Sequence, residues 1–140
     1  MIEEIKFNKN LLAVIVRSAF SYDGAKFITE NHITQQVAHL SYKSGHKIRS
    51  HFHQPWQRSV MNTLEVLIIK SGRIRVDFYS SLGVYYFSKI LSEKDTIIFI
   101  SEGHGFEILE DVDMLEIKQG PYIKDDRFFF KPVDTRNVRF

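Results

Sequence analysis

Residues 45–72 read GHKIRSHFHQPWQRSVMNTLEVLIIKSG and place two histidines and a glutamate between two glycines. His51 and His53 are two positions apart, so both imidazoles point the same way on a β-strand, where side chains alternate between faces. Glu65 begins the apolar run EVLII, which is typical of a buried strand ending at Gly72. We therefore expect the Glu65 carboxylate on a strand beside the histidine pair.

A third imidazole follows another apolar run. His104 stands in the turn-like segment SEGHG, directly after the predicted strand TIIFI. Imidazole nitrogens and carboxylate oxygens are common ligands of divalent transition metals. We expect one such ion, Zn, Fe, Ni or Mn, to be held by four residues: His51, His53, Glu65 and His104. The alternative is that the histidines are hydrogen-bonded core residues, but a buried carboxylate without a cation must be paired or protonated.

The spacing of five of these residues resembles the first motif of the cupin superfamily: Gly45, His51, His53, Glu65 and Gly72. Cupins usually have three or four residues between the second histidine and the glutamate, whereas this chain has residues 54–64 there, which a longer hairpin would accommodate. The second cupin motif is matched by His104, but Lys94 and Asp95 replace its Gly-Asp turn and its proline is absent. The resemblance covers about residues 35–118. It implies a jelly-roll barrel with a metal centre.

The tail EIKQGPYIKDD is similar to that of uncharacterised single-domain cupins associated with surface-polysaccharide biosynthesis. This closer likeness implies a small polar ligand, with a sugar as the first candidate. It also implies a role for Tyr122 in binding that ligand.

The composition favours one all-β domain. A chain of 140 residues with 44% hydrophobic and 14% aromatic residues can bury a core of its own. Apolar runs and turn signals alternate about every eight to twelve residues, which is typical of a sandwich or barrel. We predict a single cupin-type jelly-roll β-barrel over residues 1–140, with its core at about 35–118. The apolar N-terminal strand and the tail, with its three phenylalanines at 128–130, are expected to pack on the barrel or on the second subunit of a homodimer.

Individual strands and turns follow from the same pattern. The predicted strands are LLAVIV, QQVAHLSYK, KIRSHFH, LEVLIIK, RIRVDFYS, VYYFSKIL, TIIFI and two short ones within FEILEDVDMLEIK. A tight turn is expected at Ser71 and Gly72, and another at residues 110–113. In RIRVDFYS the apolar side chains should be buried, while Arg75 and Asp77 on the opposite face are expected in solvent.

Four further residues are candidates for binding or catalysis. Glu116 and Lys118 are two apart in MLEIK, so either both point into the barrel, where Lys118 would serve as an acid or a base or would hold an anionic substrate, or the two form an exposed charged pair. Trp56 and Arg58 lie in the connector near the expected barrel mouth. The indole there would stack on a sugar or base, or would cap the core.

The sequence leaves the reaction open, and even whether the protein is an enzyme. A metal-dependent isomerase or epimerase acting on a sugar or nucleotide sugar is the first hypothesis. The same ligands would hold iron for a dioxygenase. A non-catalytic sugar-binding or sensing module and a metal-free ketoisomerase of nucleotide sugars are further alternatives.

Composition also argues against several partners. The net charge is +2 and no basic block occurs, so nucleic-acid binding is not favoured. There is no cysteine, which excludes disulfides and thiolate ligands. The start MIEEIKFNKN has no apolar signal core and no run has membrane-spanning length. We therefore expect a cytoplasmic protein that does not bind membranes.

Overall fold

A computed structural model describes residues 1–124 and 126–133 of the chain. Within these residues it contains eight β-strands and no helix, so the all-β prediction is confirmed. The strands are β1 (Ile2–Phe7), β2 (Asn10–Val16), β3 (Gly24–Phe27), β4 (Ala38–Ser41), β5 (Glu65–Tyr79), β6 (Tyr85–Ser92), β7 (Thr96–Phe99) and β8 (Gly103–Lys118). No helix long and apolar enough to cross a membrane occurs in this part of the chain.

Six strands form one antiparallel sheet in which β5 is central. The strand order along one path is β1-β2-β7-β5-β6, and β8 pairs with the opposite edge of β5. The first residues of β5 pair with β7 and its later residues with β6, while β8 follows β5 along almost its whole length. Strands β3 and β4 form a separate two-stranded sheet. The main sheet curls into an antiparallel half-barrel.

The core lies mainly on the concave face of this sheet. Ile74, Val76 and Phe78 are buried as the alternation in RIRVDFYS predicts, and they pack with residues of β2 and β7. A smaller cluster on the other face includes Val66 and Ile98. Since both faces of the sheet are covered near β7, TIIF is a continuous apolar run rather than an alternating one.

The turn predicted at Ser71 and Gly72 is wrong, because β5 runs through both residues. The second turn, predicted at residues 110–113, is also wrong, because β8 continues through them. The two strands instead shift register several times between Ile69 and Ile74, as β-bulges do. Glycine is a signal for bulges and close backbone approach as well as for turns, and the sequence does not distinguish them.

The predicted strand KIRSHFH is also absent. All of residues 42–63 lie outside β-strands, and every one of them is exposed. An alternating pattern determines which side chains share a face, but a strand also needs a neighbour to accept its backbone hydrogen bonds. No described strand lies beside this segment.

Asp77 corrects a fourth expectation, because it is only 8% exposed although the alternation of its strand predicts it in solvent. Arg75 donates two hydrogen bonds to its carboxylate and the Ser88 hydroxyl donates a third. The guanidinium of Arg75 is the main cause that lowers the pKa of Asp77, in opposition to burial. The carboxylate is buried because this network satisfies it.

Replacing Gly72 tests the close approach of β5 and β8 at their register shifts. Gly72 has φ +85°, and a Cβ there would overlap the carbonyl oxygen of Asp111 on β8. Gly45 has a similar φ of +86°, but a Cβ there would have no other atom within 4 Å, so Gly45→Ala is a matched control for backbone strain alone. We expect Gly45→Ala to lower the free energy of unfolding by about 1 kcal/mol and Gly72→Ala by roughly 3 kcal/mol or more, since β8 must also move. Urea denaturation measures both losses, and equal losses would contradict the close approach of Gly72 to Asp111.

Candidate functional site

Glu65 and His104 form a hydrogen-bonded pair on the concave face. Glu65 is the first residue of β5 and His104 is the second residue of β8. The imidazole Nε2 of His104 donates to Oε2 of Glu65 at 3.0 Å. The side chains of His104 and Glu65 are 23% and 16% exposed, respectively. Two of the four predicted metal ligands therefore lie together, partly shielded from solvent.

These two residues meet because the β5–β8 ribbon is bent. In the register of the two strands His104 lies opposite Phe78, which is 13 residues beyond Glu65 along β5. A straight strand would separate those positions by about 43 Å. Phe99 of β7 lies between the two ends: it is the register partner of Glu65, and its ring stacks on that of His104 with centroids 4.0 Å apart.

The electrostatic surroundings keep the Glu65 carboxylate ionised. The hydrogen bond from His104 is the main cause that lowers the pKa of Glu65, while burial opposes it. The positive charges of Lys118 and Arg127 lower this pKa further. Lys118 is the register partner of Glu65 on β8. A carboxylate that is charged and only partly saturated with hydrogen bonds can bind a cation or accept a proton.

A cavity of about 720 Å³ lies beside this pair. Its wall includes Glu65, His104 and Glu116, together with aromatic residues of the C-terminal segment. Its volume is within the range of small-molecule binding sites. Lys118 does not line the cavity, but its Nζ is 3.9 Å from the Glu116 carboxylate. The pair predicted for acid–base chemistry thus lies next to the Glu65–His104 pair.

His51 and His53 lie elsewhere. Both are exposed in the segment that contains no strand. Their rings are close to each other, with centroids 5.3 Å apart, and Nδ1 of His51 lies 2.8 Å from the Arg49 carbonyl oxygen. Among the residues that the structure describes, no group of three or more His, Cys, Asp or Glu side chains is placed to hold a metal ion. The predicted four ligands are therefore present as two separate pairs.

The three residues predicted to bind substrate are also outside the cavity. Trp56 is 75% exposed and Tyr122 is 77% exposed. Arg58 is exposed as well, and none of the three lines the cavity wall. Residues 126–130 and Pro132 of the C-terminal tail line the cavity instead.

Several residues of the site were not predicted from the sequence. Tyr79 and Arg127 line the cavity, and Phe130 packs edge-to-face on Tyr79 with ring centroids 5.4 Å apart. A backbone hydrogen bond from Val133 to Gly83 holds the tail in this place. The Phe-rich composition of the tail was the available signal. It indicated that the tail would pack against something, but not that it would line a ligand cavity.

Comparisons with protein-family models, with curated proteins and with solved structures find no match for this chain. The fold and the site define it as an all-β half-barrel with a carboxylate–imidazole pair in a small-molecule-sized cavity. Any more specific assignment must come from the chemistry of these residues.

Removing the imidazole tests the electrostatics of the pair. In the wild type the lowered pKa of Glu65 stabilises the folded chain. This stabilisation is fully present at pH values above the pKa that Glu65 has in the unfolded chain. It is lost as the pH falls through the lower pKa that Glu65 has in the folded chain. His104→Ala removes the main cause of lowering and leaves burial opposed only by the charges of Lys118 and Arg127, so the pKa of Glu65 should rise and this contribution should shrink. Carbon-13 NMR titration of the Glu65 carboxyl group, with unfolding measured over the acid range, checks both effects.

The exposed His46, which stacks on Tyr42, offers a control for this experiment. His46→Ala should leave the pKa of Glu65 as it is in the wild type. An unchanged pKa in His104→Ala would show that the hydrogen bond is not what keeps Glu65 charged.

Proposed function

We propose that this chain is a cupin-type jelly-roll barrel that binds a small polar molecule, a sugar or nucleotide sugar, in the cavity and catalyses its isomerisation or epimerisation with one divalent transition metal. The observation that carries the proposal is the hydrogen bond between Glu65, whose pKa is lowered, and His104 on the wall of a cavity of about 720 Å³. A titratable residue with a shifted pKa and a specific partner inside a ligand-sized cavity is typical of catalytic sites.

Glu65 and His104 carry donor atoms of the types that bind divalent transition metals. Glu65 offers an ionised oxygen and His104 an imidazole nitrogen, and the two atoms are 3.0 Å apart. Two donors are too few, because catalytic zinc sites have three protein ligands and structural ones four. His51 and His53 are proposed as the other ligands, which requires residues 42–63 to come over the cavity. When bound, the ion would polarise a carbonyl or hydroxyl oxygen of the substrate.

Proton transfer is proposed for Glu116 and Lys118. The Glu116 side chain is 49% exposed and lines the cavity, and Lys118 lies beside it. In an isomerisation or epimerisation a proton leaves the carbon next to a carbonyl group and a proton returns to the same or a neighbouring position. A carboxylate can accept the first proton, and an ammonium group can donate the second. Phe128 and Phe129 line the same cavity and offer flat apolar surfaces to a sugar ring.

A second candidate needs no metal. Glu65 and His104 are hydrogen-bonded directly, Phe99 stacks on the imidazole, and the hydroxyl-bearing Tyr79 lines the same cavity. A carboxylate that orients an imidazole is a common arrangement for general acid–base catalysis. This arrangement supports a metal-free ketoisomerase of nucleotide sugars.

Elemental analysis of protein purified without a metal-chelating tag tests the metal. We expect about one divalent transition metal per chain in the wild type and none in His51→Ala/His53→Ala or in Glu65→Ala/His104→Ala, because each double variant removes half of the ligands. His32→Ala/His46→Ala removes two exposed histidines outside the set and should keep the metal. Full occupancy in either ligand variant would refute the ligand assignment.

Solvent proton exchange tests the reaction. Nucleotide sugars incubated with the protein in D₂O should acquire deuterium at the carbon next to the carbonyl group, as monitored by proton NMR. Glu116→Gln and Lys118→Met should each slow this exchange by about 10²-fold or more while the metal is retained. Oxygen uptake with bound iron would indicate a dioxygenase instead, binding without exchange would indicate a sugar-binding module, and exchange that persists after chelation would support the metal-free candidate.

A further inference from the structure

Residues 42–63 form an exposed apolar segment without a partner in the described structure. Large apolar side chains along it are between 45% and 89% exposed: Ile48, Phe52, Trp56, Val60 and Met61. The ring contacts within it are local, between Tyr42 and His46 and between His51 and His53. Contiguous exposed apolar surface of this kind usually marks an interaction site.

Strand β8 presents the complementary feature. It pairs with β5 along one edge, and no described strand pairs with its other edge. Phe106 and Ile108 lie opposite the fully buried Val76 and Ile74 and therefore point to the concave face, yet they are 41% and 51% exposed. The apolar concave face is thus left partly uncovered beside β8 in the described chain.

The two features carry opposite charge. Residues 31–64 contain no Asp or Glu, and their basic residues are Lys43, Lys47, Arg49 and Arg58. Residues 96–117 contain no Lys or Arg, and their acidic residues are Glu102, Glu107, Glu110, Asp111, Asp113 and Glu116. Three of the β8 acids pair with basic residues of β5, but Asp111 forms no ion pair with another described residue. Complementary charge of this kind favours association of the segment with β8.

We propose that residues 46–58 of one chain pair as a strand with the free edge of β8 in a second copy, and that the exchange is reciprocal. The lengths agree, since 13 extended residues span about 43 Å and the 16 residues of β8 about 53 Å. Such an exchange closes with two-fold symmetry. Its occupant is a second copy because the segment does not lie on its own cavity, whose wall includes Thr63 but none of residues 42–62.

Direct pairing of β8 with β8 of a second copy is a poorer solution. An antiparallel pairing of this strand with itself would bring its acidic residues near one another, and like charges on facing strands are destabilising. Charged residues on an edge strand commonly prevent such self-pairing. A basic strand from the neighbouring copy removes the conflict.

The exchange gives the metal site a definite composition, and this step rests on the proposed function. His51 and His53 of one copy would face Glu65 and His104 of the other, so that each centre is built from both chains. The absence of any three-ligand group among the described residues of one chain follows directly.

Cysteine cross-linking tests the exchange without any metal. The chain has no native cysteine, Phe52 is exposed, and a Cβ at Gly105 would meet no atom closer than 3.6 Å, so single cysteines at Phe52 and Gly105 are tolerable. Both positions lie on the outer face of the proposed sheet, because Phe52 alternates with His51 and His53 and Gly105 alternates with His104. Phe52→Cys and Gly105→Cys chains are refolded together, treated with a short bis-maleimide and separated under denaturing conditions. We expect a covalent dimer in the mixture and little in either chain alone. Absence of the mixed dimer, or a wild-type mass of one chain by light scattering, overturns the exchange. Thermal unfolding confirms that each variant is folded.

Complementation then tests the shared site. His51→Ala/His53→Ala chains and Glu65→Ala/His104→Ala chains, each with a different non-chelating tag, are refolded together and the mixed dimer is purified through both tags. An exchanged dimer has one site with all four ligands and one with none, so we expect about half a metal per chain, against none in either parent. No metal in the mixed dimer, with metal in the wild type, overturns the shared site. A wild type without metal refutes the proposed function, and the cross-link still decides the exchange.

Discussion

The bend in the paired strands β5 and β8 is the constraint on which the rest of this structure depends. These strands are 15 and 16 residues long, and they carry Glu65, Tyr79, His104 and Glu116. In a straight ribbon the ends that hold Glu65 and His104 would be about 43 Å apart, whereas their side chains meet at 3.0 Å. Gly72 permits this bend, because only a residue without Cβ fits against Asp111 with its φ of +85°. The backbone conformation at Gly72 therefore determines that Glu65 and His104 lie together.

The register of the same two strands determines which charges face inward. On the outer side of the ribbon, acidic residues of β8 pair with basic residues of β5: Asp113 with Lys70, Glu110 with Arg73 and Glu107 with Arg75. Each exposed pair contributes little by itself, because solvent screens the two charges. A slip of one residue would nevertheless break all of them and turn the inner residues outward. The pairs thus help to keep Glu65, His104 and Glu116 on the concave face.

The exposed segment 42–63 and the unpaired edge of β8 are the two parts of the contact proposed between two copies of the chain. Among the described residues, no strand pairs with the second edge of β8, and the segment 42–63 carries exposed apolar and basic residues. In the exchange proposed above, metal binding and dimer formation would stabilise one another, since a ligand that binds only the assembled state shifts the equilibrium toward it. The site and the quaternary structure would then be one thermodynamic unit.

The sequence by itself determined the all-β class, the strands LLAVIV and TIIF, and the burial of Ile74, Val76 and Phe78. These are local properties, since apolar alternation and β-propensity act between near neighbours in the chain. Only the tertiary structure decided that Gly72 bends a strand, that Asp77 is buried, and that Glu65 pairs with His104 without the other two histidines. Periodicity determines the face on which a side chain lies, but the neighbour opposite that face depends on how distant strands curl and pair.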